Sequence, residues 1–139
     1  MPNTRILALD LGKRRIGLAV SDELGITAQG LPTLERKNMR FDLERLADIA
    51  REKSVNLILM GDPLHMSGDS GTQSEWARAF AGTLERHTGL KVRMWDERLT
   101  TVEASRVLRG SGISIEKRAR AVDQLSAVIL LQSYLDSLS

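Results

Sequence analysis

Ile6-Leu7-Ala8-Leu9 is a short apolar run closed by Asp10 and followed by Gly12. That pattern predicts a buried strand ending in a turn. Arg15 to Ser21 alternates around Ile16, Leu18 and Val20. It predicts a second strand, and so short a gap from the first implies an antiparallel hairpin. A third strand is expected within Gln29 to Leu34, at the sheet edge because Pro32 cannot donate to a ladder. Phe41 to Lys53 places Leu43, Leu46, Ala47, Ile49 and Ala50 at helical spacing. Leu57-Ile58-Leu59-Met60 is another buried strand, stopped by Gly61-Asp62-Pro63, and Ser67 to Thr72 reads as a glycine-rich loop. A helix is expected from Gln73 to His87, with Trp76, Ala77, Phe80 and Leu84 on one stripe and Gly89 as its C-cap. Lys91 to Trp95 is the last strand, ending at Asp96-Glu97. Thr100 or Thr101 can cap a helix through Val102 to Leu108, before a mobile loop at Arg109-Gly110-Ser111-Gly112. Glu116 to Leu138 is helical and strongly apolar, with Val122, Leu125, Val128, Ile129 and Leu135 expected in the core.

This order predicts an α/β fold, an antiparallel meander followed by parallel strands, flanked by helices. Strands separated by helices are normally parallel and joined by right-handed crossovers. If the first strand lies parallel to the fourth and fifth, Asp10, Asp62 and the Asp96-Glu97 pair share one sheet edge. Ligand sites of open sheets form at that edge. With no repeat or linker visible, residues 1–139 are expected to form a single domain.

Composition narrows the chemistry. The chain has no cysteine, which excludes disulfides, thiolate metal sites and cysteine nucleophiles. No apolar run approaches the roughly 20 residues that cross a bilayer. Met1 to Arg5 lacks a signal-peptide core, so no membrane association and a cytoplasmic location are expected. The net charge of +2 is too mild to argue for nucleic acid by itself. Its distribution says more, with clusters at Lys13-Arg14-Arg15, at Arg36, Lys37 and Arg40, and at Lys117, Arg118 and Arg120. Taken singly, each cluster reads as solvated surface charge. The first and third, close in sequence to Asp10 and Asp123, point toward phosphate binding.

Asp10 closes an apolar strand, where a carboxylate is costly unless paired or bound to metal. Capping of the following turn is the plain alternative. Asp96-Glu97 stands in the same position, with helix capping or a pair to Arg98 as its alternative. Asp123 interrupts an apolar helix, and its alternative is an ion pair with Arg120 or a surface position. Converging carboxylates without histidine or cysteine suit magnesium or manganese. Two such ions can serve phosphodiester cleavage. His65 and His87 have no zinc spacing. Gly68 and Gly71 could admit a phosphate, although a surface loop is the commoner reason for glycine. Trp76 and Phe80, four apart on a helix, read as core packing rather than base stacking.

The stretch Ala8-Leu9-Asp10-Leu11-Gly12-Lys13-Arg14-Arg15-Ile16-Gly17-Leu18-Ala19-Val20-Ser21-Asp22 resembles the opening motif of the YqgF/RuvX family. Gly61-Asp62-Pro63-Leu64 followed by Gly68 resembles its second motif, and Asp96-Glu97-Arg98-Leu99-Thr100-Thr101 its third. Val122-Asp123-Gln124-Leu125-Ser126-Ala127 resembles its last. The resemblance covers nearly the whole chain, in order. It implies an RNase H-like nuclease related to the Holliday-junction resolvase RuvC, with Mg2+ or Mn2+ as cofactor. Asp10, Glu97 and Asp123 are then the implied catalytic and metal-binding triad, with Asp96 as a neighbouring ligand candidate. The family often has an apolar residue where this chain has Asp62, so Asp62 receives no catalytic role. Lys13, Arg14, Arg15, Arg98, Lys117, Arg118 and Arg120 are the candidates for contact with nucleic acid.

The implied substrate is structured RNA, through maturation of the 5′ end of precursor 16S ribosomal RNA, and ribosomal precursor particles are then potential partners. A junction-resolving DNA endonuclease acting on branched DNA is the alternative within enzymes. Such a resolvase would be a symmetric dimer, whereas an RNA nuclease can be a monomer. Asp10-x-Gly12 before a hairpin also opens sugar-kinase and actin-like ATPase folds, but those need two such domains. A non-catalytic RNA-binding assembly factor is disfavoured by the presence of all three acidic residues.

Overall fold

A computed structural model describes residues 5–63, 71–96 and 115–138, with the side chains of the last segment from residue 121 onward. Five strands, β1 (Ile6–Leu11), β2 (Arg15–Ser21), β3 (Ala28–Glu35), β4 (Leu57–Asp62) and β5 (Lys91–Asp96), form one sheet in the order β3-β2-β1-β4-β5. β1, β2 and β3 pair antiparallel, while β4 runs parallel to both β1 and β5. The expected meander and parallel half are therefore present, and β1, β4 and β5 end at one edge.

Helices α1 (Met39–Glu52) and α2 (Thr72–Thr88) cover one face, and α3 (Ile115–Ser137) covers the other. Strand alternation sorts the side chains. Leu7, Leu9, Ile16, Leu18 and Val20 meet α1 and α2, whereas Ile6, Ala8 and Ala19 meet α3. A 14-residue helix is marginal alone in water, so α1 depends on its buried stripe of Leu43, Leu46, Ile49 and Ala50. Asn38 caps it, its side-chain oxygen accepting from the Phe41 N–H at 2.8 Å. α2 ends at Gly89, whose φ of +74° is the left-handed conformation glycine adopts without strain.

Pro32 lies on the edge strand, as expected. The ladder shifts register between Ile16 and Leu18, leaving Pro32 and Thr33 opposite Gly17. That bulge accommodates the missing proline N–H.

Four expectations need correction. The core face of α3 consists of Ala127, Leu130, Leu131, Tyr134 and Leu135, while Val122, Leu125, Val128 and Ile129 are only half-buried. The middle of the helix, from Val122 to Leu131, is densely apolar, so spacing could not fix its phase. Trp76 is half-buried rather than core, although Phe80 is buried as expected. Thr72 belongs to α2 and not to a loop. Arg36 is no solvated surface charge: its side chain is 13% exposed and its Nε donates to the buried Asp42 carboxylate at 2.9 Å. The expected helix at Val102 to Leu108 and the loop at 109–112 lie outside the described residues. Among the described residues, no helix is long and apolar enough to cross a membrane.

Candidate metal centre and its surroundings

The close packing of α3 against the β1–β2 hairpin carries Asp123 toward Asp10. Asp10 and Gly17 are cross-strand partners, so their side-chain directions share one face. That face belongs to α3. A methyl group placed on Gly17 would fall 1.9 Å from the Asp123 carbonyl oxygen, inside any permitted contact. The α3 backbone thus lies directly on Gly17, and Asp123 arrives beside the strand position that Asp10 occupies. An isolated glycine within an apolar strand is a sequence signal for such an approach. The two carboxylates are candidates from the sequence; this glycine is not among them.

Arg15 shares the face of Gly17, and its Nε donates to Asp123 Oδ2 at 2.9 Å. Among the described residues the hairpin supplies a cation to Asp123; the side chain of Arg120, the partner expected if Asp123 were not a surface position, lies outside them. Each side chain of this pair is 27% exposed. The pair is part-buried and still reachable from water, so a metal or a phosphate can approach it and compete for either partner. Asp10 is half-buried beside it. Carboxylates reachable from solvent, with no sulfur or imidazole among the described groups here, are a donor set that fits a hard divalent cation. Among the described residues, no group of three His, Cys, Asp or Glu side chains is close enough to hold a metal. Glu97, the third member implied by the resemblance, lies outside the described residues, as does Arg98.

The remaining candidates separate clearly. Asp96 is the register partner of Asp62, and strand alternation turns both toward the α1/α2 side, away from the face of Asp10. Trp95, one residue earlier, faces α3 and meets Tyr134 edge-on at 5.0 Å between ring centres. Asp62 is buried and saturated: Ser74 Oγ donates to Oδ1 at 2.5 Å, and Arg78 donates to Oδ2 through Nη2 at 2.8 Å and Nε at 3.2 Å. It ties β4 to α2. Lys13 and Arg14 are exposed in the β1–β2 turn. Lys117, Arg118 and Arg120 belong to the first turns of α3, and their side chains lie outside the described residues. At the opposite end of the sheet, the backbone N–H groups of Ile26, then Thr27 and Gly25, hold the Asp22 carboxyl below its usual range.

Residues 4–137 match the model of the RuvX family, described as Holliday junction resolvase. The chain belongs to the RuvX family. It is 58% identical over 132 residues to a protein of Koribacter versatilis named "Putative pre-16S rRNA nuclease", covering 95% of this chain and 86% of that one. A Clostridium botulinum protein of the same name is 46% identical over 135 residues, covering 97% and 98%. Among solved structures, Thermus thermophilus RuvC in complex with a Holliday junction substrate superposes with a TM-score of 0.58 at 12% identity, covering 98% of this chain and 96% of that one. The fowlpox virus Holliday junction resolvase does so with a TM-score of 0.60 at 17% identity, covering 98% and 100%. At such identities the likeness is one of fold, and that fold is RNase H-like. The quoted motifs all fall within the RuvX match, so the resemblance read from them holds along the chain.

Proposed function

We propose that this chain is a metal-dependent nuclease acting on structured RNA, cutting at the 5′ end of precursor 16S ribosomal RNA. The observation that carries the reading is the seating of α3 on Gly17, which brings Asp123 to the strand position of Asp10. Its relatives' names support the RNA substrate. Asp10 and Asp123, with Glu97 immediately after β5 in sequence, would hold Mg2+ or Mn2+; Asp96 faces the other side and is not needed in that set. The metal, when bound, supplies activation of a water and stabilisation of the leaving oxygen. Arg15, released from Asp123, turns to a substrate phosphate, and Lys13, Arg14, Arg98, Lys117, Arg118 and Arg120 supply further backbone contacts. We place the protein in the cytoplasm, as one domain over residues 1–139, with ribosomal precursor particles as potential partners. The family's description favours a second reading, cleavage of four-way DNA junctions.

Cleavage of precursor 16S RNA and of a four-way junction, each with wild type and Asp10→Asn, tests both. Wild type should cut the RNA in Mg2+, and the variant should lose on the order of a thousandfold in rate, the loss of several kcal/mol of charge stabilisation. Junction cleavage without RNA cleavage would replace the first reading by the second. Full activity of Asp10→Asn would overturn the site itself.

A further inference from the structure

On the α1/α2 side, at the same end of the sheet, lies a groove of about 510 Å³, within the roughly 300–1,000 Å³ of sites that enclose a small ligand. We infer that it binds a single-stranded segment of the nucleic-acid substrate, with phosphates on Lys13 and Lys37 and a base stacked on Trp76. The inference rests on the nuclease reading and extends it to a second surface.

Charge favours a polyanion. Among the described residues, Lys13, Arg36 and Lys37 line the groove against one carboxylate, Asp42. That carboxylate is already engaged, Oδ2 accepting from Arg36 Nε and Oδ1 from the Lys37 N–H at 3.1 Å. Lys13 and Lys37 are exposed and come from different connections, the β1–β2 turn and the segment before α1. Thr72 and Gln73 also line it, from the first turn of α2, where the N-cap Gly71 has no side chain to satisfy the leading N–H groups.

Trp76 supplies the other half of the recognition. It is a half-buried indole at the groove wall, with the Arg36 guanidinium 5.9 Å from its ring centre. Arg36 is fixed in turn by Asp42 and by the Gly12 carbonyl, to which its Nη1 donates at 3.0 Å. A positioned aromatic platform beside cations is how proteins hold unpaired strands, because every base has a face to stack. A duplex keeps its bases stacked internally and cannot use it. Lys13 belongs to the turn that joins the strands of Asp10 and Arg15, so one strand can pass from the metal centre round the hairpin tip into the groove.

The test uses full-length Asp10→Asn protein, so that oligonucleotides survive, and reads tryptophan emission and anisotropy across a salt series. Single-stranded RNA should quench emission saturably, and blunt duplex of the same sequence should not. Trp76→Leu should remove the quench and weaken binding roughly 5- to 100-fold, the range of one base–aromatic stack. Lys37→Ala, at an exposed position, should lower the salt slope by about one phosphate contact even if Trp76→Leu fails to fold. Unchanged affinity and slope in Lys37→Ala, or the same quench in a folded Trp76→Leu, would overturn the groove. Quenching by single strands with no metal-dependent cleavage by wild type would overturn the nuclease reading and leave the groove standing.

Discussion

The two faces of the sheet treat acidic residues in opposite ways. On the α1/α2 face, large aliphatic side chains fill the layer, and Asp42 and Asp62 are buried at 1% and 4% exposure with both oxygens of each accepting hydrogen bonds. On the α3 face, Ala8, Gly17 and Ala19 let the helix come down onto the strands. There Asp123 keeps 27% exposure and, among the described residues, Arg15 as its ion-pair partner. A saturated carboxylate stabilises the fold and has nothing left to offer a ligand. An open one contributes little stability and keeps its lone pairs for a cation. The two strand-end aspartates thus join different faces: Asp62 is saturated beneath α2, and Asp10 is half-buried on the face of α3.

The strongest way to break the contrast is Gly17→Ala. The added methyl would meet the Asp123 backbone at 1.9 Å, so α3 must lift from the sheet. Overpacking of this kind costs roughly 3 kcal/mol. Displacing one carboxylate should also lower cleavage about a hundredfold, as misplacement by an ångström does. Thermal unfolding and cleavage of the folded protein measure the two effects; near-wild-type values for both would mean that the helix does not sit where Asp123 needs it.

Asp62→Ala probes the sealed side. It strips the buried Ser74 hydroxyl of its acceptor and frees a half-exposed Arg78, at a cost of about 1–3 kcal/mol. Molecules that remain folded should cleave at the wild-type rate. A loss of cleavage beyond the loss of folded protein would move Asp62 into the chemistry.

The smallest effect belongs to Arg15→Gln. Releasing Asp123 from this part-buried pair should tighten Mn2+ binding by about fivefold, while substrate affinity falls. Titration calorimetry with Mn2+ reads the first, and weaker metal binding would show that Arg15 supports the site rather than competes for it.

Much of this was legible along the chain. Short apolar runs marked β1 and β4, alternation marked β2, and the stretch closed by Asp96-Glu97 marked β5, while the gaps between them set antiparallel or parallel pairing. Asp10 and Asp123 stood out as carboxylates in apolar surroundings. What stayed hidden depends on contacts between distant segments. Arg15 and Asp123 are 108 residues apart, and no local pattern pairs them. The phase of α3 was hidden because the middle of the helix is densely apolar, and Trp76 looked like core because its stripe is shared with Phe80. Asp96 and Glu97 were indistinguishable as neighbours until the register with Asp62 turned Asp96 toward α2.

The central claim is that Asp10 and Asp123 converge on one divalent cation. Converging carboxylates repel without metal, and a bound cation stabilises the folded state by mass action. The most direct measurement is the melting temperature of wild type, Asp10→Asn, Asp123→Asn and Asp62→Asn with and without Mn2+. The melting temperature should rise with Mn2+ in wild type and in Asp62→Asn, and the rise should shrink or vanish in Asp10→Asn and Asp123→Asn. An equal rise in all four proteins, or none in wild type at millimolar Mn2+, would contradict it.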